Sequence, residues 1–200
     1  MTIKSKSSFL KRRETLITIG ICVLVVAVTI LILKVMGRPF ISNSGTVKLW
    51  HAELVSSENS QHLSDWYSFT HIVHGFLLFF LLWLISKKIP QIRKFSVGFV
   101  IAVVMESIWE VIENTNFVIY RYREATIALD YFGDSIINST ADILFMSLGF
   151  MMASRLSVLA SVSFVAASEL MLAIVIRDNL ALNILMLIYP IDAIKEWQIG

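Results

Sequence analysis

Three glutamates, two histidines and two aspartates in this sequence are spaced so that helices would line them up. Glu106, Glu110 and Glu113 follow at intervals of four and three inside an apolar run from Phe95 to Ile119. At roughly 100° per residue they share a narrow arc of one helix face, with Ile108, Val111 and Ile112 covering the other side. His71 and His74 are three residues apart, on a face that also carries Tyr67 and Gly75. Asp134, Asn138 and Asp142 step down a third segment at intervals of four. Ionisable groups in membrane helices are costly when they meet lipid, so these must face protein or water.

Two chemistries suit such a set. Histidine beside carboxylic acids can carry out general acid–base catalysis, with His71, His74, Glu110, Glu113 and Asp142 as the catalytic candidates. The same side chains are ligand types for a divalent metal, for which His71, His74 and Glu110 are the candidates; the ion's identity is not legible. Arg121, Arg123 and Arg177, with Asp134 and Asn138, are candidates for binding a substrate, because guanidinium forks fit head-group or phosphate oxygens. The sequence has no HExxH, nucleophile elbow, P-loop or dinucleotide fingerprint. Packing readings stand beside these. A membrane histidine often bonds one helix to another. The glutamates could pair with Arg121, Arg123 or Arg177, and Asp134 reads best as a helix N-cap with Ser135 inside the helix.

The elements that must position these groups are membrane spans. Of 200 residues, 56% are hydrophobic and 16% charged, which is too apolar for an ordinary soluble domain. The expected fold is an all-α integral membrane protein, a single domain over residues 1–200. Its spans are expected at about 15–35, 66–86, 95–119, 135–154 and 157–176, after a basic tail over 1–14. The first apolar run follows Lys11, Arg12 and Arg13 and has no small-residue cleavage site after it, so it reads as a retained span. Lys87, Lys88, Arg93, Lys94 and Arg155 fall at the same side as that N-terminal cluster, which places the N-terminus in the cytoplasm. The apolar part of the 177–200 tail is short for a crossing and is expected to lie as an interfacial or re-entrant helix on the outside, with a sixth crossing as the alternative. A polar loop is expected from Arg121 to Asp134. In this topology the helical rise of about 1.5 Å per residue puts the histidines, the glutamates, Asp142 and Glu169 in the outer half of the bilayer. Basic residues cluster at span ends rather than in a patch, so no nucleic-acid partner is implied. Cys22 is the sole cysteine and lies mid-span.

Several stretches resemble an uncharacterised family of bacterial inner-membrane proteins, the uncharacterised-protein-family 0314 group, also called domain of unknown function 2585. They are Ser60 through Gly75, Trp109 to Asn114, Arg121-Tyr-Arg123, Asp130 through Asp142, and Arg177-Asp-Asn179. The resemblance implies a multi-pass plasma-membrane protein and brings no activity, cofactor or protein partner with it. A weaker similarity is to VanZ-like membrane proteins, through Asp65 and His71, Glu106 or Glu110, and Asp134, Asn138 and Gly149. The spacing from Asp65 to His71 and the triple glutamate depart from that pattern. The expected function is a pocket facing the outer leaflet that binds or acts on a lipid or lipid-linked envelope molecule. The competing reading is a non-enzymatic accessory subunit whose buried polar network fixes helix packing. A proton or ion pathway is disfavoured because the inner halves of the spans have almost no ionisable groups.

Overall fold

The computed structural model describes residues 3–53, 56–126 and 130–199, and these residues form helices and no strands. The helices are α1 (Ile3–Val35), α2 (Ser68–Ser86), α3 (Phe95–Glu113), α4 (Asn116–Ala125), α5 (Ile136–Ala153), α6 (Val158–Val175), α7 (Leu180–Ile188) and α8 (Asp192–Ile199). Five segments are long and apolar enough to cross a membrane: Arg12–Val35 of α1, and all of α2, α3, α5 and α6. Their outer faces display apolar side chains such as Val23, Leu24, Leu159 and Leu170. In water such faces would be unfavourable; against lipid they cost nothing. The protein is an all-α integral membrane bundle.

Helix ends follow local chemistry. α1 closes where the Arg38 N–H reaches the Leu33 carbonyl and Gly37 adopts φ +84°, ahead of Pro39. Ser157 and Asn179 cap α6 and α7 by accepting the N–H groups of Ala160 and Leu182. Ser135 caps α5 by accepting the Asn138 N–H. This corrects the assignment of that role to Asp134, whose carboxylate is held instead by Asn114 and Tyr131.

The third helix was expected to continue to about Ile119, but it stops at Glu113. Asn114 turns its side chain toward Asp134, and Thr115 starts α4 by accepting the Val118 N–H. The expected 121–134 loop therefore begins as helix, while its residues 127–129 lie outside the described ones. Beyond α6, α7 and α8 are nine and eight residues long, too short to cross.

The core is set by a close crossing of α2 and α5. Gly75 and Gly149 lie against each other's helix backbones, so that a Cβ at Gly149 would sit 2.0 Å from the Ile72 carbonyl oxygen. Small residues at such a crossing let backbones approach as side chains could not permit. Leu82, Ala102, Val103, Ile143, Met146 and Phe150 fill the space among α2, α3 and α5. At one end Glu14 joins α1 to the start of α3 through Lys94 (2.9 Å) and Ser96 (2.5 Å). At the other end Ile136 donates its N–H to Pro39, and Tyr67 at the head of α2 bonds Asp178 just past α6. α2 and α5 thus begin at the end where α1, α3 and α6 finish, and the ionisable side chains gather there.

Candidate functional site

The first turn of α2, the last turns of α3 and the second turn of α5 meet in a buried cluster. Glu106 is 2% exposed, and its Oε1 receives the Nδ1 of both histidines, at 2.7 Å from His71 and 2.9 Å from His74. Their rings are 5.0 Å apart and nearly perpendicular. The i, i+3 spacing on α2 makes this possible, because both rings descend the same face onto one acid of α3. With Nδ1–H committed to Glu106, each histidine keeps Nε2 as its free nitrogen. His71 Nε2 lies 3.8 Å from Asp142 Oδ2 on α5, and His71 Nδ1 is 3.6 Å from Glu110 Oε1. Glu110 is fully buried. Within the described residues, neither of its oxygens has a hydrogen-bond partner, nor has Oδ1 of Asp142.

Above the cluster opens a cavity of about 760 Å³. Its polar lining includes Asp65, Tyr67, His71, His74, Glu113 and Arg177, and its apolar lining includes Ile174, Ile184 and Ile199. Asp65, at the entry to α2, is braced by the backbone N–H groups of Ser60 (2.9 Å) and Tyr67 (2.8 Å). Trp109 packs its edge near His74 at 6.3 Å, and Glu113 lies within reach of Trp109 and Tyr122. Asp178, between α6 and α7, takes hydrogen bonds from Tyr67 and Asn183, and burial pushes its carboxyl up to about 6. Burial likewise raises Asp134 and carries the Tyr131 hydroxyl well above its ordinary range.

Among the expected catalytic residues, His71, His74 and Glu113 line the cavity, and Glu110 and Asp142 lie behind His71. The expected substrate-binding residues divide differently. Arg177 lines the cavity and gives one hydrogen bond to the Trp197 carbonyl. Arg121 donates to the carbonyls of Leu187 and Ile188 at the end of α7, and Arg123 lies over the Phe132 ring. Asp134 is braced by Asn114 and Tyr131, and Asn138 donates to the His62 carbonyl, which pins the 40–64 segment onto α5. Glu169 accepts the N–H groups of Leu180 and Ala181 at the start of α7, a favoured place for a carboxylate. Of the α3 glutamates, Glu106 and Glu110 pair with histidines, and Glu113 lies with Trp109 and Tyr122.

Nothing in the sequence assigns Asn114 and Tyr131 to Asp134, or ties Asp65 to the entry of α2. Asn114 follows directly on the glutamate run, where a carboxamide ends a helix; that position was the available signal. A second polar cluster, in the 40–64 segment, has no sequence signal. There Ser42 and His62 bond Glu58, and the Ser42 hydroxyl holds this carboxylate down at about 2.

Residues 33–200 match the family described as a protein of unknown function, DUF2585. A UPF0314 protein of Sinorhizobium fredii is 50% identical over 200 residues, the full length of both chains. One from Rhizobium meliloti is 48% identical over the same full lengths. A third, from Paracoccus denitrificans, is 47% identical over 175 residues, 88% of this chain and 89% of the relative. No solved structure matches. The expected likeness to VanZ-like proteins is not shown by these matches.

Proposed function

We propose that this chain, which belongs to the DUF2585 (UPF0314) family, is a multi-pass protein of the bacterial inner membrane that acts on a lipid or lipid-linked envelope molecule taken from the outer leaflet. The observation that carries the reading is the cavity's mixed lining. His71, His74, Glu113 and Arg177 give it ionisable groups, and Ile174, Ile184 and Ile199 give it apolar surface, at the bundle end. A head group and an acyl or prenyl chain need those two environments side by side.

Orientation follows from charge. Arg12, Arg13, Lys87, Lys88, Lys94 and Arg155 stand at the end away from the cavity, which under the positive-inside tendency makes that end cytoplasmic. In the reaction His74 is the base: Glu106 fixes its tautomer and leaves Nε2 to take a proton from a hydroxyl or water. Arg177, with guanidinium N–H groups beyond the one given to Trp197, draws in a phosphate or carboxylate.

The test is lipid mass spectrometry of a deletion strain complemented with the wild type or with His74→Ala. A lipid species should accumulate in the deletion, disappear with the wild type and persist with the variant. An unchanged lipid profile across all strains refutes the reading. Reporter fusions at the N-terminus and in the 40–64 segment check the orientation, and an N-terminus outside the cytoplasm overturns it.

A further inference from the structure

Three overlapping groups of side chains in the buried cluster have donor atoms within 4.8 Å of one another: His71, His74 and Glu106; His71, Glu110 and Asp142; and Glu110, Glu113 and Asp134. Hydrogen bonding separates them. In the first group, Glu106 Oε1 already accepts both histidine Nδ1–H groups, so its needs are met from within. In the third, Asp134 takes Asn114 on one oxygen and Tyr131 on the other, and no histidine belongs to it. Glu110 is shared by the second and third groups, but only the second adds a histidine and a further unpartnered oxygen. Both oxygens of Glu110, which is 0% exposed, and Oδ1 of Asp142 find no hydrogen-bond partner among the described residues. Carboxylates sealed from water without donors are costly, and what relieves the cost is positive charge.

We infer that His71, Glu110 and Asp142 bind a divalent transition-metal cation of the Zn2+, Mn2+ or Fe2+ class. One imidazole and two carboxylates form a mixed N/O set that suits those ions and leaves a position for water or a substrate oxygen. His71 is prepared for the role, since its Nδ1–H is bound by Glu106 at 2.7 Å and its Nε2 stands 3.8 Å from Asp142 Oδ2. Two ligands at about 2.0–2.2 Å from one ion are separated by on the order of 3–4 Å, so that edge needs little adjustment. Glu106 then plays the part of the outer carboxylate that fixes a ligating histidine's tautomer. Two carboxylates balance the dication's charge. The ion would sit just behind His71, which itself lines the cavity.

The experiment uses the full-length protein in detergent, stripped with EDTA and dialysed in turn against Zn2+, Mn2+ and anaerobic Fe2+, with bound metal counted by mass spectrometry. The expected result is about one equivalent of at least one metal and a higher thermal unfolding midpoint on reloading. Glu110→Gln and Asp142→Asn keep side-chain shape and should elute as folded protein with at least a tenfold loss of bound metal. Less than a tenth of an equivalent of all three metals in the wild type overturns the inference, and so does full occupancy in folded Glu110→Gln. If both variants aggregate, the decision passes to the Co2+-substituted wild type. Absorption bands of a low-symmetry N/O site support the inference; the spectrum of aqueous Co2+ refutes it. No lipid enters these measurements, so metal without a lipid phenotype removes the proposed function alone. A lipid phenotype in a protein that binds no metal removes this inference alone.

Discussion

Replacing Gly149 by Ala should separate the two helices that hold the site. A Cβ there would lie 2.0 Å from the Ile72 carbonyl oxygen and 2.9 Å from its carbon. These are backbone atoms, which cannot swing aside. Reaching the 3.4 Å of ordinary contact requires α2 and α5 to part by about 1.4 Å. Overpacking of this kind costs about 1–3 kcal/mol, and the rigid neighbour argues for the upper end. Ile72 adjoins His71, so the shift would widen the His71–Asp142 gap from 3.8 Å to about 5 Å, past ion-pair reach. Thermal unfolding followed by tryptophan fluorescence in detergent measures the stability loss, and histidine chemical shifts report the altered site. Gly20→Ala on α1, where a new Cβ meets nothing within 4 Å, is the control and should be neutral. Should Gly149→Ala unfold within about 0.5 kcal/mol of the wild type, the close crossing is not what sets the site.

Three further outcomes are expected. Asp178 is raised from 3.8 to about 6, so its contribution to stability is complete below pH 3.8 and is lost as the pH climbs to about 6. That elevation is worth about 3 kcal/mol at most, and Asp178→Asn should flatten the stability profile across this window. Glu58 runs the other way: its contribution is present above pH 4.5 and lost as the pH falls toward 2, so Glu58→Gln should remove an acid-side decline seen by circular dichroism. Glu106→Leu strands the buried Nδ1–H of His71 at about 1–3 kcal/mol and the half-buried one of His74 at less, whereas Glu106→Gln keeps an acceptor and should lose about 1 kcal/mol in a denaturation assay.

Crossing a bilayer requires runs of apolar residues near 20 long, and such runs are visible without any tertiary knowledge. The helical rise then fixes depth along each run. This is why His71, Glu106, Glu110 and Asp142 were legible as sharing one end, and they do converge. Helix rotation and the path of the loops depend on contacts between residues far apart in the chain. Arg121 looked like an anion binder, but α7 offers it two carbonyls, and only the packed structure puts α7 there. Asp134 looked like a cap, but Asn114 lies twenty residues back and claims it. Apolar lining of the cavity comes from the end of α6 and from the short helices α7 and α8, whose positions no periodicity could report. Hydrophobicity and pitch are properties of a segment alone; which donor meets which acceptor belongs to the folded whole.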